Sequence, residues 1–87
     1  MDHKQKLRDL AVSETGFVFD PYSGASFNTN SAGRLILEGL KDELGRAELI
    51  TSMEEAFEVQ GEDLNRDLDD FLFMLRENGV LAPDFEL

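Results

Sequence analysis

The sequence predicts an α+β fold in which a three-stranded antiparallel sheet is followed by three helices (βββααα). Three observations predict it. Period-two apolar segments occur only in the first third of the 87 residues. A strong turn signal, Asp20-Pro21-Tyr22-Ser23-Gly24, lies between two of them, and every apolar pattern after Ser31 has helical spacing. Strands segregated from helices argue for α+β rather than a βαβ arrangement. The length suits one domain, residues 1–87, with a core that is sufficient but not large. Apolar residues make up 41% of the chain and include seven Phe, which favours a folded chain over a disordered one.

Leu7, Leu10 and Val12 are apolar among charges, so a first strand is expected over about Arg8 to Ser13. Ser13-Glu14-Thr15-Gly16 reads as a turn, with glycine at its last position. Phe17 and Phe19 alternate around Val18, the period-two pattern of a half-buried strand. In the next turn Asp20 opens, Pro21 presets φ, and Gly24 closes. Ala25 to Asn28 then form a short third strand in which Phe27 is the large apolar residue.

Asn28, Thr29, Asn30 and Ser31 all carry side chains that accept from the unpaired amides of a helix start. Ala32, Leu35, Ile36 and Leu40 follow at helical spacing, which predicts a helix over about Ser31 to Lys41, and Gly39 on the same face implies close packing. After Gly45, a second helix is expected over about Ala47 to Phe57, with Leu49, Ile50, Met53 and Phe57 facing inward and Val59 packing back behind it. The third helix, about Glu62 to Asn78, is the best specified. Acidic residues crowd its first turns, where they complement the helix dipole, and Gly79 stops it. Its core-facing stripe is Leu64, Leu68, Phe71, Leu72 and Leu75, each worth roughly 1.5–3 kcal/mol when buried. Val80 and Leu81 pack down after it. Residues 1–6 and 82–87 are expected to be flexible tails.

Eight basic residues against 19 acidic ones give a formal net charge of −11. Nucleic-acid binding requires Lys and Arg to neutralise phosphates, so no nucleic-acid partner is expected. There is no cysteine, which excludes disulfides, thiolate metal sites and cysteine nucleophiles. The first ten residues lack the apolar run of a signal peptide, and no stretch approaches the roughly 20 apolar residues of a membrane helix. The expected location is the cytoplasm, away from membranes.

Chemistry is sparse. His3, the one histidine, sits in a terminal segment expected to fray, so a zinc site and a Ser-His-Asp arrangement both lack their ligands or base. Asp63 to Asp69 superficially resembles the start of a calcium loop, but the sixth position is Leu68 rather than Gly and the twelfth is Met74 rather than Glu. The Asp-Ser-Leu motif of acyl carrier proteins is absent, and Gly24, Gly33 and Gly39 are too scattered for a phosphate loop. No enzyme activity, catalytic residue, metal or cofactor is expected. Binding remains. On the third helix Phe73 falls roughly opposite the core stripe, among Arg66, Asp69, Asp70 and Glu77, while Met74 lies on the stripe's flank near Asp67. Phe73 reads either as a singly exposed apolar residue or homodimer contact, or as one wall of a peptide groove whose other wall is the sheet edge; the chain is a monomer or a homodimer accordingly.

The run from Phe17 to Leu37, with its Asp-Pro-x-x-Gly turn, Asn28, the Ala32-Gly33 pair and Ile36, resembles the opening of PqqD-like proteins. Arg66-Asp67-Leu68-Asp69-Asp70-Phe71-Leu72, Leu75 and Gly79-Val80-Leu81 are similar to the family's last helix and its ending. The resemblance covers about residues 8–81. It implies a winged-helix-like domain, the RiPP recognition element, and a non-catalytic peptide chaperone. Such a chaperone binds the leader of a ribosomally made precursor peptide and presents it to a modifying enzyme, such as a radical SAM or kinase-like protein. In such domains the leader adds as a strand to the third strand and lies against the third helix. Carried across, the peptide-binding residues are Ala25, Ser26, Phe27 and Asn28 on the strand and Asp67, Asp70, Phe73 and Met74 on the helix. Where the family often has a bulky aromatic after the first helix's Ile, this chain has Leu37, which implies a differently shaped pocket. Ala25, Ser26 and Phe27 offer neither proline nor charge to block strand pairing. The alternative is a winged-helix-like adaptor or regulator that binds a folded protein.

Overall fold

A computed structural model of the chain describes residues 7–57 and 61–87. Among these, after a helical stretch at residues 7–9, three strands are followed by three further helices: β1 (Ala11–Val12), β2 (Phe17–Phe19), β3 (Ser26–Asn28), α1 (Ser31–Lys41), α2 (Arg46–Phe57) and α3 (Gly61–Glu77). The sheet is antiparallel with strand order β1-β2-β3. The α+β arrangement is therefore as the sequence predicts. The expectations for Val59, His3 and residues 1–6 lie outside the described residues.

The first strand differs most from expectation. Residues 7–9 are helical and β1 shrinks to Ala11–Val12. Leu7 and Leu10 stand three apart, so both reach the core from one helical turn, which the Leu10 amide closes by donating to the Leu7 carbonyl. That spacing outweighs the period-two relation between Leu10 and Val12.

The register gives the sheet one core face and one outer face. Val12 lies opposite Val18, and Val18 opposite Phe27, so these three share the core side. Phe17 and Phe19 take the other side, 45% and 39% exposed. The buried member of Phe-Val-Phe is thus the small one. The turn before β3 is held by Asp20, which is wholly buried. Its carboxylate accepts from the Tyr22 amide (2.9 Å) and the Ser23 hydroxyl (2.8 Å), and its carbonyl accepts from the Gly24 amide (2.8 Å). The β1–β2 turn closes through the Gly16 amide on the Ser13 carbonyl.

Helix α1 starts at the polar cluster, where Asn30 is the cap. Its side-chain oxygen accepts from the Gly33 amide at 2.8 Å. Asn30→Ala is expected to destabilise the chain by about 1 kcal/mol, measured by thermal denaturation. Gly39 allows α2 to approach: a Cβ there would collide with the Leu49 side chain. Leu49 and Met53 are buried and Ile50 packs beside them. Phe57, expected inward, is 37% exposed; it is the last residue of α2, whose buried residues are Leu49 and Met53.

Helix α3 places Leu64, Leu68, Leu72 and Leu75 in the core. It ends at Gly79, whose φ of +74° is left-handed, and the Val80 amide then bonds back to the Leu75 carbonyl at 2.9 Å. Val80 and Leu81 are buried. Residues 82–87 make contacts with the body. Phe85 and Leu87 pack on the core, while the Arg76 and Arg46 side chains donate to the Phe85 and Leu87 carbonyls. Arg46 also joins α2 to α3 through Asn65 and an ion pair with Asp69.

Candidate functional site

The open edge of the sheet is the first half of the candidate site. Among the described residues, β2 is the only strand partner of β3. Which backbone groups of β3 face outward follows from the ladder. The Asp20 amide donates to the Ala25 carbonyl (2.9 Å), and the Thr29 amide to the Gly16 carbonyl (2.7 Å). Bonded and non-bonded pairs alternate along an antiparallel ladder. Between those two bonded pairs, Val18 and Phe27 form a third, while Phe19/Ser26 and Phe17/Asn28 are non-bonded. The opposite side of β2 agrees, since the Ser13 amide donates to the Phe17 carbonyl. Ser26 and Asn28 therefore turn their N–H and C=O groups away from β2, toward the open edge. The strand begins at Ser26 rather than Ala25 because Ala25 is spent closing the turn.

The second half is the flank of α3 nearest the end of β3. Phe71 marks it. A Cβ placed on Gly33, at the start of α1, would meet the Phe71 ring at 2.9 Å and would also collide with the Thr29 side chain. Thr29 directly follows β3, so the Phe71 ring lies near the place where the edge strand runs into α1. Asp67, Phe71 and Met74 stand at i, i+4 and i+7, along one ridge of the helix. Asp67 is exposed and Met74 half-buried against the core.

Phe73 is 58% exposed. It projects about 200° round the helix from Phe71 and lines a shallow cavity with Arg76, Glu77 and Pro83. Asp70 is exposed on the crest between the two sides. The structure thus brings Asp67 and Met74 together with Phe71, and it sets Phe73 toward the C-terminal segment. Sequence reasoning assigned Phe71 wholly to the core stripe. The available signal was its place at the stripe's edge, about 60° from Leu68, together with a glycine on α1 that leaves its ring room. Leu37, expected to reshape the pocket, is fully buried in the core.

Among the described residues, no group of three or more His, Cys, Asp or Glu is arranged to hold a metal ion, and no helix is long and apolar enough to cross a membrane.

Comparison with known proteins decides the family. The family model described as coenzyme PQQ synthesis protein D (PqqD) matches residues 15–81. The chain belongs to the PqqD family. A solved structure of lasso peptide synthetase B1 complexed with the leader peptide is similar to it, with a TM-score of 0.68 and 28% sequence identity. The likeness covers 82% of this chain and 85% of that one. No curated protein matches. The PqqD match begins at Thr15, so it takes in β2, β3 and all three helices, and with them both halves of the candidate site.

Proposed function

We propose that this PqqD-family chain binds the leader segment of a ribosomally made precursor peptide by strand addition to β3, and presents it to a modifying enzyme. The observation that carries the proposal is the phase of β3: Ser26 and Asn28 direct their backbone donors and acceptors outward, with no proline or charged residue on the strand. Soluble proteins normally block such an edge. Left open, it gives a peptide main-chain hydrogen bonds for affinity and alternating side-chain positions for selectivity. The similarity to a synthetase component with a leader peptide bound supports the same reading. The chain itself contributes no catalytic step; it holds the substrate while a partner performs the reaction.

In this reading Ala25 to Asn28 form one wall, and Asp67 and Met74, with Phe71 between them, form the other. Asp70 and Phe73 lie beyond the crest and form the outer rim. With a net charge of −11, the chain favours a peptide and an enzyme surface bearing basic residues, and binding is expected to weaken as salt rises.

The test uses labelled synthetic peptides tiling the short open reading frames beside the gene for this chain. Titration by fluorescence anisotropy is expected to find one basic segment that binds at a single site. Met74→Ala is expected to weaken that binding more than Phe73→Ala, and Phe73→Ala to leave the melting temperature nearly unchanged because its ring is exposed. A large loss of stability with unchanged affinity for Phe73→Ala would put that ring in the core and contradict this assignment.

A further inference from the structure

The outer face of the sheet carries two exposed aromatic rings that neither the core nor the groove beside α3 uses. Phe19 lies opposite Ser26, and Phe17 opposite Asn28, all four on the side away from Val18 and Phe27. This placement gains meaning from the phase of β3 and therefore rests on strand addition. An antiparallel strand added outside β3 forms bonded pairs with Ser26 and Asn28, and residues directly opposite one another put their side chains on the same face. The peptide residue opposite Phe27 turns toward the helices. The two residues opposite Ser26 and Asn28 turn the other way, onto the face of Phe19 and Phe17.

We infer that this aromatic face is a second selectivity surface, and that the peptide residue opposite Ser26 is a large aromatic. Adjacent strands are about 4.8 Å apart, so that residue stands about 10 Å from Phe19 with only Ser26 between them. The serine side chain is too short to fill the space above it. With Phe19, 39% exposed, on one side of the serine and a peptide aromatic on the other, the two rings in the complex cover the serine and remove apolar surface from water. In the parallel row the intervening residue is Asn28, with a longer polar side chain than serine, so Phe17 selects less strongly. Smaller apolar residues opposite Ser26 do not reach. The bound peptide is thus read on both faces: toward α3 by the residue opposite Phe27, and toward Phe19 by a neighbour one position away.

A displayed library of random 12-residue peptides, selected on the full chain, tests this. Enriched peptides that lose binding to Ser26→Pro are the strand-adding ones, and they are expected to share an aromatic residue one position from an apolar one. Phe19→Thr, which keeps a strand-forming residue at an outward position, is expected to weaken these peptides about three- to tenfold. It is also expected to erase the aromatic preference at that one position while leaving the neighbouring apolar preference intact. If the Ser26-dependent peptides are selected identically by the wild type and Phe19→Thr, the inference is overturned while strand addition stands. If no enriched peptide depends on Ser26, strand addition fails and the inference with it. A change in sedimentation of Phe19→Thr without a change in selectivity would make the face a self-association surface, which also overturns the inference.

Discussion

Replacing Ser26 by proline is expected to weaken peptide binding about tenfold or more while the sheet survives. Proline removes the N–H of residue 26, and the ladder directs that N–H to the open edge rather than to β2. One lost hydrogen bond is worth about 0.5–1.5 kcal/mol net, and the pyrrolidine ring also stands where the incoming strand must approach. The bonded pairs Val18/Phe27 and Asp20/Ala25 are untouched, so circular dichroism and the melting temperature should stay close to the wild type. Phe27→Pro provides the contrast: it breaks the central bonded pair and removes an apolar side chain packed against the core, so it should unfold the sheet. Calorimetry of the two variants with the same peptide separates loss of an edge from loss of the fold.

The largest expected effect on stability from a small change is at Gly16. Its φ of +91° is one that a side chain rarely adopts, and a Cβ there would collide with the Thr29 backbone carbonyl rather than with a movable side-chain tip. The Gly16 carbonyl also accepts the Thr29 amide, so this glycine clamps the start of β2 to the segment between β3 and α1. Gly16→Ala is expected to cost at least about 2 kcal/mol, combining strained backbone with a contact that cannot relax locally. Because the displaced segment follows the edge strand, peptide affinity should fall as well, even below the melting temperature. Chemical denaturation measures the first effect and titration of the folded protein the second.

Local chemistry made much of this fold legible. The turn at Asp20 to Gly24 is written in residues whose preferences act within four positions, and Asn30 with the Ile36/Leu40 spacing places α1 where it is found. The four buried leucines of α3 repeat at helical spacing, which makes that helix readable in isolation. What escaped depends on neighbours. Leu7 and Leu10 read equally as strand or helix until something covers them. Phe57 has the right spacing for the core but is the last residue of α2, and it is left 37% exposed. Phe17 and Phe19 are the larger members of an alternating triplet, yet the sheet buries Val18, because the opposing Val12 and Phe27 place the core on that side.

The candidate site shows the same division. The open edge at Ala25 to Asn28 follows from a strand count, but the outward direction of the Ser26 and Asn28 amides is a property of the ladder, fixed by hydrogen bonds that start at Gly16 and Asp20. Phe71 and Phe73 are two residues apart and point to opposite sides of α3. Only the packing of α1, through Gly33 and Thr29, distinguishes the side that looks toward β3.

Amide hydrogen exchange read by NMR, with and without the bound leader segment, tests strand addition most directly. Phe27 should be protected in both states, because its amide already bonds within the sheet. The Ser26 and Asn28 amides should exchange rapidly in the free chain and become protected in the complex. Binding that leaves both amides exchanging as before, with protection appearing only on the helices, would contradict strand addition to β3.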